Sequence, residues 1–158
     1  TFPLPEAQMD RFFMRLSLGY MNRKDELSVM ARKSTTELLG ELECVVTEAE
    51  IAELKKAYHE VIVSDAVADY MMDIIEKTRN HGDILIGAST RGAMALYEAS
   101  QVLAAMRGRN YVLPEDVKEL APSVLAHRLT YRGVFKQSEG SSTFEKVLNE
   151  VAVPMEEK

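Results

Sequence analysis

The sequence predicts a mainly α fold, and three observations carry that prediction. Apolar residues recur at i, i+3, i+4, i+7 and i+8 in the best stretch, Val67, Tyr70, Met71, Ile74 and Ile75. The residues between such stretches are helix caps and helix stops. Strand evidence is thin, and its clearest case is the alternation of Met14-Arg15-Leu16-Ser17-Leu18. At 158 residues, 46% hydrophobic and 28% charged, the chain has the length and apolar content for a buried core.

Pro5-Glu6 can open a short helix, after which Met14–Leu18 reads as a strand. A strand there needs neighbours, and none is evident nearby, which points to a sheet encoded upstream. Thr47 and Glu50 have capping-box spacing ahead of Ile51, Leu54 and Tyr58, so a helix is expected over about 48–60. Ser64 or Asp65 can cap the helix at 65–80, where Lys77 and Arg79 suit the negative end of the dipole. The next helix runs from Arg91 to Arg107, with Leu96, Ala99, Leu103 and Met106 on one stripe. Around it lie Ala95, Ser100, Ala104 and Ala105, small enough to let partner helices approach.

Gly108 stops that helix, and Pro114 with Glu115 and Asp116 opens another. Val117, Leu120, Ala121, Val124 and Leu125 carry it to about Leu129, with a kink expected at Pro122. Gly133, Gly140 and a serine pair give 130–143 a loop or hairpin signature, and a short helix near 143–150 ends before Pro154.

Composition narrows the function classes. Cys44 is the single cysteine, so neither an intramolecular disulfide nor a cysteine-based zinc site is available, and a reducing, cytoplasmic setting is expected. No apolar run approaches the roughly 18 residues that span a bilayer. A net charge of −6 argues against a general nucleic-acid binder. Residues 91–132 hold six Lys/Arg against four Asp/Glu, too slight an excess to make a helix-turn-helix recognition surface.

Several motifs fail on inspection. Gly87 and Gly92 have phosphate-loop spacing, but Ala93 and Met94 stand where that loop needs Lys and Ser/Thr. Gly87-Ala88-Ser89 begins like a nucleophile elbow, yet Arg91 takes the place of its second glycine, so Ser89 reads as a helix cap. His59, His81 and His127 have no neighbour at metal-ligand spacing, and no metal site is expected. The acidic residues of 48–60 and 115–119 read as solvated faces, and Met71 and Met106 as core.

Two arginines stand apart. Arg11 follows Glu6-Ala7-Gln8-Met9-Asp10, where Phe12 and Phe13 are expected to anchor the backbone and hold the guanidinium outward. Arg91 opens the longest helix from the small-residue turn Gly87-Ala88-Ser89-Thr90. A fixed guanidinium can bind phosphate through two parallel hydrogen bonds, while an arginine at a helix end can equally be a surface ion-pair partner.

The blocks Phe2-Pro3-Leu4-Pro5-Glu6-Ala7-Gln8-Met9-Asp10-Arg11-Phe12, Thr78-Arg79, Gly87-Ala88-Ser89-Thr90-Arg91, Gly108-Arg109-Asn110-Tyr111-Val112-Leu113-Pro114-Glu115-Asp116-Val117 and Val124-Leu125-Ala126-His127-Arg128-Leu129 occur in that order. Together they resemble the C-terminal part of a MoxR-type AAA+ ATPase. The resemblance implies that 1–22 is the last helix and strand of an α/β nucleotide-binding core, 23–132 a helical lid and 133–158 a variable tail. It implies that the Walker A and Walker B elements precede Thr1. Arg11 would be the arginine finger acting on a neighbouring subunit of a homo-oligomeric ring, and Arg91 the sensor 2 arginine at the nucleotide phosphates. ATP and Mg would belong to the complete protein, with neither bound tightly by these residues alone, and a client protein would be a further partner. Two positions depart from the pattern: Met21 and Thr90 stand where prolines are usual, and Thr90 leaves the turn before Arg91 without a fixed φ. A non-enzymatic alternative is a free-standing helical adaptor binding a protein through its methionine-rich or acidic face. A phosphate loop upstream of Thr1 would decide between the two.

Overall fold

A computed structural model describes residues 4–32, 42–133 and 137–154, and the protein is mainly helical. In chain order the elements are α1 (Glu6–Met9), α2 (Arg23–Arg32), α3 (Glu48–Ala57) with a 3₁₀ turn at Tyr58–Glu60, α4 (Asp65–Asn80), β1 (Ile84–Ile86), α5 (Thr90–Met106), α6 (Pro114–Leu125) with a 3₁₀ turn at Ala126–Arg128, β2 (Thr130–Tyr131) and α7 (Gln137–Glu150).

Local chemistry sets most of the boundaries. The Thr47 hydroxyl accepts from the Glu50 amide at 3.3 Å while the Glu50 carboxylate accepts from the Thr47 amide at 2.8 Å, a reciprocal cap that starts α3. Ser64 accepts from the Val67 amide to start α4. Gly108 ends the α5 turn at φ +71°, a conformation that residues with a Cβ rarely adopt. Pro114 occupies the first turn of α6, where its missing N–H is no loss.

The core lies where α4, α5, α6 and α7 meet. Tyr70, Ile74 and Ile75 from α4, Leu96 from α5, Val117 and Leu125 from α6, and Phe144 and Val147 from α7 are all essentially inaccessible to solvent. Each such aliphatic or phenyl side chain contributes about 1.5–3 kcal/mol by leaving water. The core face of α5 is built mainly from Gly92, Ala95, Ala99, Ser100 and Ala104, so α6 packs close against it.

Four expectations are corrected. Met14–Leu18 forms no strand: with no partner strand in the described residues its backbone reaches the bundle at Arg15, whose amide donates to the Ser123 carbonyl at 2.8 Å. Segment 130–143 is not a local hairpin, because Thr130-Tyr131 pairs antiparallel with Ile84–Ile86, far back in the chain. The last helix begins at Gln137 rather than near 143, and Phe144, Val147 and Leu148 join the main core instead of forming a separate tail. Met106 is 80% exposed, since the buried stripe passes through Ala104, two residues earlier and so on the opposite face of the helix. Helix α6 continues through Pro122 to Leu125, and the Pro122 carbonyl still accepts from the Ala126 amide.

Candidate functional site

Arg91, one of the two singled-out arginines, meets Arg128 around the carboxylate of Asp10, the residue that precedes Arg11. Asp10 lies just past α1, next to Arg11, and its Oδ1 accepts from the Ser89 hydroxyl at 2.7 Å and from Arg128 Nη1 at 3.2 Å. Its Oδ2 accepts from Arg91 Nη1 at 3.2 Å. Burial alone would push the Asp10 carboxyl up; the Ser89 hydroxyl and the Arg128 and Arg91 guanidiniums outweigh it and hold the group below the usual carboxylate range. The carboxylate sits at the N-terminus of the 17-residue helix α5, whose first turn has no acidic residue, so an anion is favoured there by the helix dipole.

The turn that presents Arg91 is held from α4. Thr78 is fully buried at the end of that helix; its hydroxyl donates to the Ile75 carbonyl at 2.6 Å and accepts from the Ala88 amide at 3.0 Å. Arg79 Nε donates to the Ala88 carbonyl at 2.9 Å, so both backbone polar groups of Ala88 are fixed. Gly87 passes so close to α4 that a Cβ there would lie 2.6 Å from the Arg79 Cα. Ser89 then caps α5 by accepting from the Gly92 amide at 3.2 Å, as expected. The turn before Thr90 is thus held by Thr78, Arg79 and the Ser89 cap.

The segment bearing Arg11 is held from the other side, by Arg128. That side chain is 1% exposed. Its Nε donates to the Val124 carbonyl at 2.8 Å, Nη1 to the carbonyl and carboxylate of Asp10, and Nη2 to the carbonyls of Phe12 at 2.7 Å and Phe13 at 3.2 Å. His127 Nε2 also donates to the Phe12 carbonyl, at 2.9 Å. The phenyl rings expected to anchor this segment do not do so: Phe12 and Phe13 are 53% and 45% exposed, and the anchorage runs through their carbonyls. Arg11 itself is exposed, with no hydrogen bond or ion pair to its side chain among the described residues.

A profile for the AAA lid domain matches residues 76–151, from the end of α4 to just past α7. The chain is 33% identical to the uncharacterized protein YeaC of Bacillus subtilis, across 99% of its own length and 49% of that protein's. It is 30% identical to Chaperone MoxR1 of Mycobacterium tuberculosis, across 98% of its own length and 43% of that protein's. A crystal structure of a candidate ATPase from Cytophaga hutchinsonii superposes with a TM-score of 0.85 at 32% identity, covering 98% of this chain and 50% of the other. The chain belongs to the MoxR-type AAA+ family. It spans about half the length of the curated relatives it matches.

In this MoxR-type lid the Ser89 cap is where the sequence places it, whereas the contacts that join the segment of Arg11 to Arg91 are not foreseen by the sequence reading. Asp10 and Arg128 each lie within one of the family-like blocks. The signal for Arg128 was available in kind, since a charged residue on an otherwise apolar helical run must find partners when buried. Apart from the Val124 carbonyl, its partners lie at residues 10–13, beyond the reach of any local pattern. Among the described residues no three His, Cys, Asp or Glu side chains gather as a metal site. No helix there is long and apolar enough to cross a membrane.

Proposed function

We propose that this chain supplies the end of the nucleotide-binding core and the helical lid of an ATP-hydrolysing MoxR-type remodelling or chaperone protein that works as a cytoplasmic homo-oligomeric ring. In this reading Arg11 is the arginine finger, reaching a neighbouring subunit's nucleotide, and Arg91 is the sensor 2 arginine at the phosphates. The observation that supports it is the Asp10 carboxylate, which ties the Arg11 segment to the N-terminus of the helix bearing Arg91. Phosphoryl transfer is catalysed mainly by positioning and by neutralising charge on the transferred oxygens, and two guanidiniums on fixed backbone suit that task.

The surroundings of Arg91 fit a nucleotide phosphate. Arg91 is 57% exposed and its partner is a carboxylate at a single 3.2 Å contact, so a phosphate offering more charge at the same helix end could take over that guanidinium. ATP with Mg supplies the transferable phosphoryl group, and this chain's part is to orient and neutralise it.

The test uses the full-length, ring-forming protein. Arg11→Ala is expected to lower ATP turnover on the order of 10³-fold, as loss of an arginine finger does, and Arg91→Ala to lower it as well, with the helical fold unchanged by circular dichroism. Mixing Arg11→Ala subunits with subunits lacking their own Walker B carboxylate should recover part of the activity, because some interfaces then pair an intact finger with an intact site. Unaltered turnover in Arg11→Ala rings of confirmed assembly rejects the finger assignment.

A further inference from the structure

We infer that Arg128 is the positioning residue of Arg11: from within the bundle, it fixes the backbone that aims Arg11 outward. The inference rests on the reading of Arg11 as the finger and adds a residue that this reading does not contain. An arginine side chain carries five N–H donors in a rigid planar fork. Arg128 makes five contacts, one at Nε and two at each terminal nitrogen. One anchors the guanidinium to the end of the preceding helix α6 at Val124, and the other four grip Asp10, Phe12 and Phe13, the residues on either side of Arg11. The Asp10 carbonyl belongs to the peptide unit just before Arg11 and the Phe12 carbonyl to the unit that follows Phe12, so the backbone is held on both sides of Arg11.

Burial explains why the grip is firm. A guanidinium with 1% of its side chain exposed cannot exchange its partners for water, so releasing the segment would strand a buried charge. A lysine at the same place keeps the charge but offers three donors from one point and cannot span three residues. The same fork touches the Asp10 carboxylate that holds Arg91, so Arg128 also joins the finger segment to the sensor turn.

Hydrogen exchange and turnover test this separately. The Arg11 and Phe12 amides donate to the Gln8 and Met9 carbonyls at 3.1 and 3.2 Å, so their protection reports whether the segment is held. In Arg128→Lys, peptides covering 8–13 should exchange at least tenfold faster while those of α4 and α5 keep their protection. His127→Ala, which removes the second donor on the Phe12 carbonyl, should move the same peptides in the same direction by a smaller factor; it also serves if Arg128→Lys does not fold. In the full-length ring, Arg128→Lys should lower turnover at least tenfold, but less than twofold further when added to Arg11→Ala, because the two changes disable one function. Unchanged exchange at 8–13, or full additivity of the two substitutions, overturns the inference. Faster exchange in rings whose turnover is indifferent to Arg11→Ala would uphold the clamp and reject the finger.

Discussion

Asp10 and Asp116 are each gripped by two arginines, and the contrast between them separates a structural ion cluster from one able to change partners. Around Asp116 all the partners are near in sequence: Arg109 binds it through both terminal nitrogens at 2.8 and 2.7 Å, Arg107 at 2.8 Å, and the Leu113 amide at 2.9 Å. Arg107 is committed a second time, to Glu119. Asp116 is 1% exposed, and the cluster ties the end of α5 to the start of α6. Around Asp10 the partners come from 79 to 118 residues away, the contacts to both arginines are 3.2 Å, and Arg91 is more than half exposed. Two short parallel bonds in a dry place make a joint, whereas one longer bond to a solvated guanidinium makes a contact that another anion can replace.

The largest expected effect breaks the comparison at its structural end. Asp116→Ala removes a bidentate pair and the carboxylate that caps the Leu113 amide, interactions of charged groups for which a combined loss of about 3 kcal/mol is reasonable. For a chain of this size that lowers Tm by roughly 6–12 °C, readable by thermal circular dichroism. A loss below about 1 kcal/mol would mean that the Asp116 cluster is no more structural than the Asp10 one.

The second sharpens the exchangeable end by deforming the turn beneath it. In Gly87→Ala the new Cβ would fall 2.6 and 2.7 Å from the Arg79 Cα and N, backbone atoms that cannot swing aside. The turn must move away from α4, loosening the Thr78 and Arg79 bonds to Ala88, at a cost of about 1–3 kcal/mol. Denaturant unfolding should show that loss, with faster amide exchange at Ala88. Wild-type stability in the variant would show that α4 does not hold the turn.

How far the sequence revealed each region follows from the same distances. Thr47 with Glu50, Ser64, Ser89, Gly108 and Pro114 all announced helix ends, because a cap acts within four residues of itself. Asn22 with Asp25 carried the same signal for α2 and was passed over; the Asn22 side chain accepts from the Asp25 amide at 3.0 Å. The β1–β2 ribbon was not legible, being three residues paired with two that lie over forty positions later. Met14–Leu18 misled for the complementary reason: its alternation is genuine, but alternation makes a strand only beside another strand. At the candidate site, Arg11 and Arg91 stand out through the motifs that contain them. The Asp10–Arg128 contacts that join them depend on the packing of residue 10 against residue 128, which no spacing encodes.

The smallest expected effect concerns the pH at which the Asp10 contact is lost. Asp10→Asn keeps an acceptor for Ser89 and removes the charge that faces Arg91 and Arg128, so at neutral pH the variant should be less stable by about 1 kcal/mol or less, as for other partly exposed ion pairs. The native surroundings hold the Asp10 carboxyl below its ordinary value of 3.8, so the unfolded chain takes up this proton at a higher pH than the folded one. The stabilisation from the charge is therefore complete above pH 3.8 and fades as the pH falls through the lower folded value, where the wild-type side chain becomes as neutral as the asparagine. Subtracting the variant from the wild type cancels the other carboxylates, including Asp116, which is also held low against its burial by Arg109, the Leu113 amide and Arg107. Urea unfolding of both proteins from pH 7 down to the lowest pH at which they fold should give a difference that is flat in the neutral range and narrows only below pH 3.8. A difference that shrinks near pH 5 or higher would mean that Asp10 is not stabilised as a carboxylate, and a difference that grows on acidification would reverse the sign of the argument.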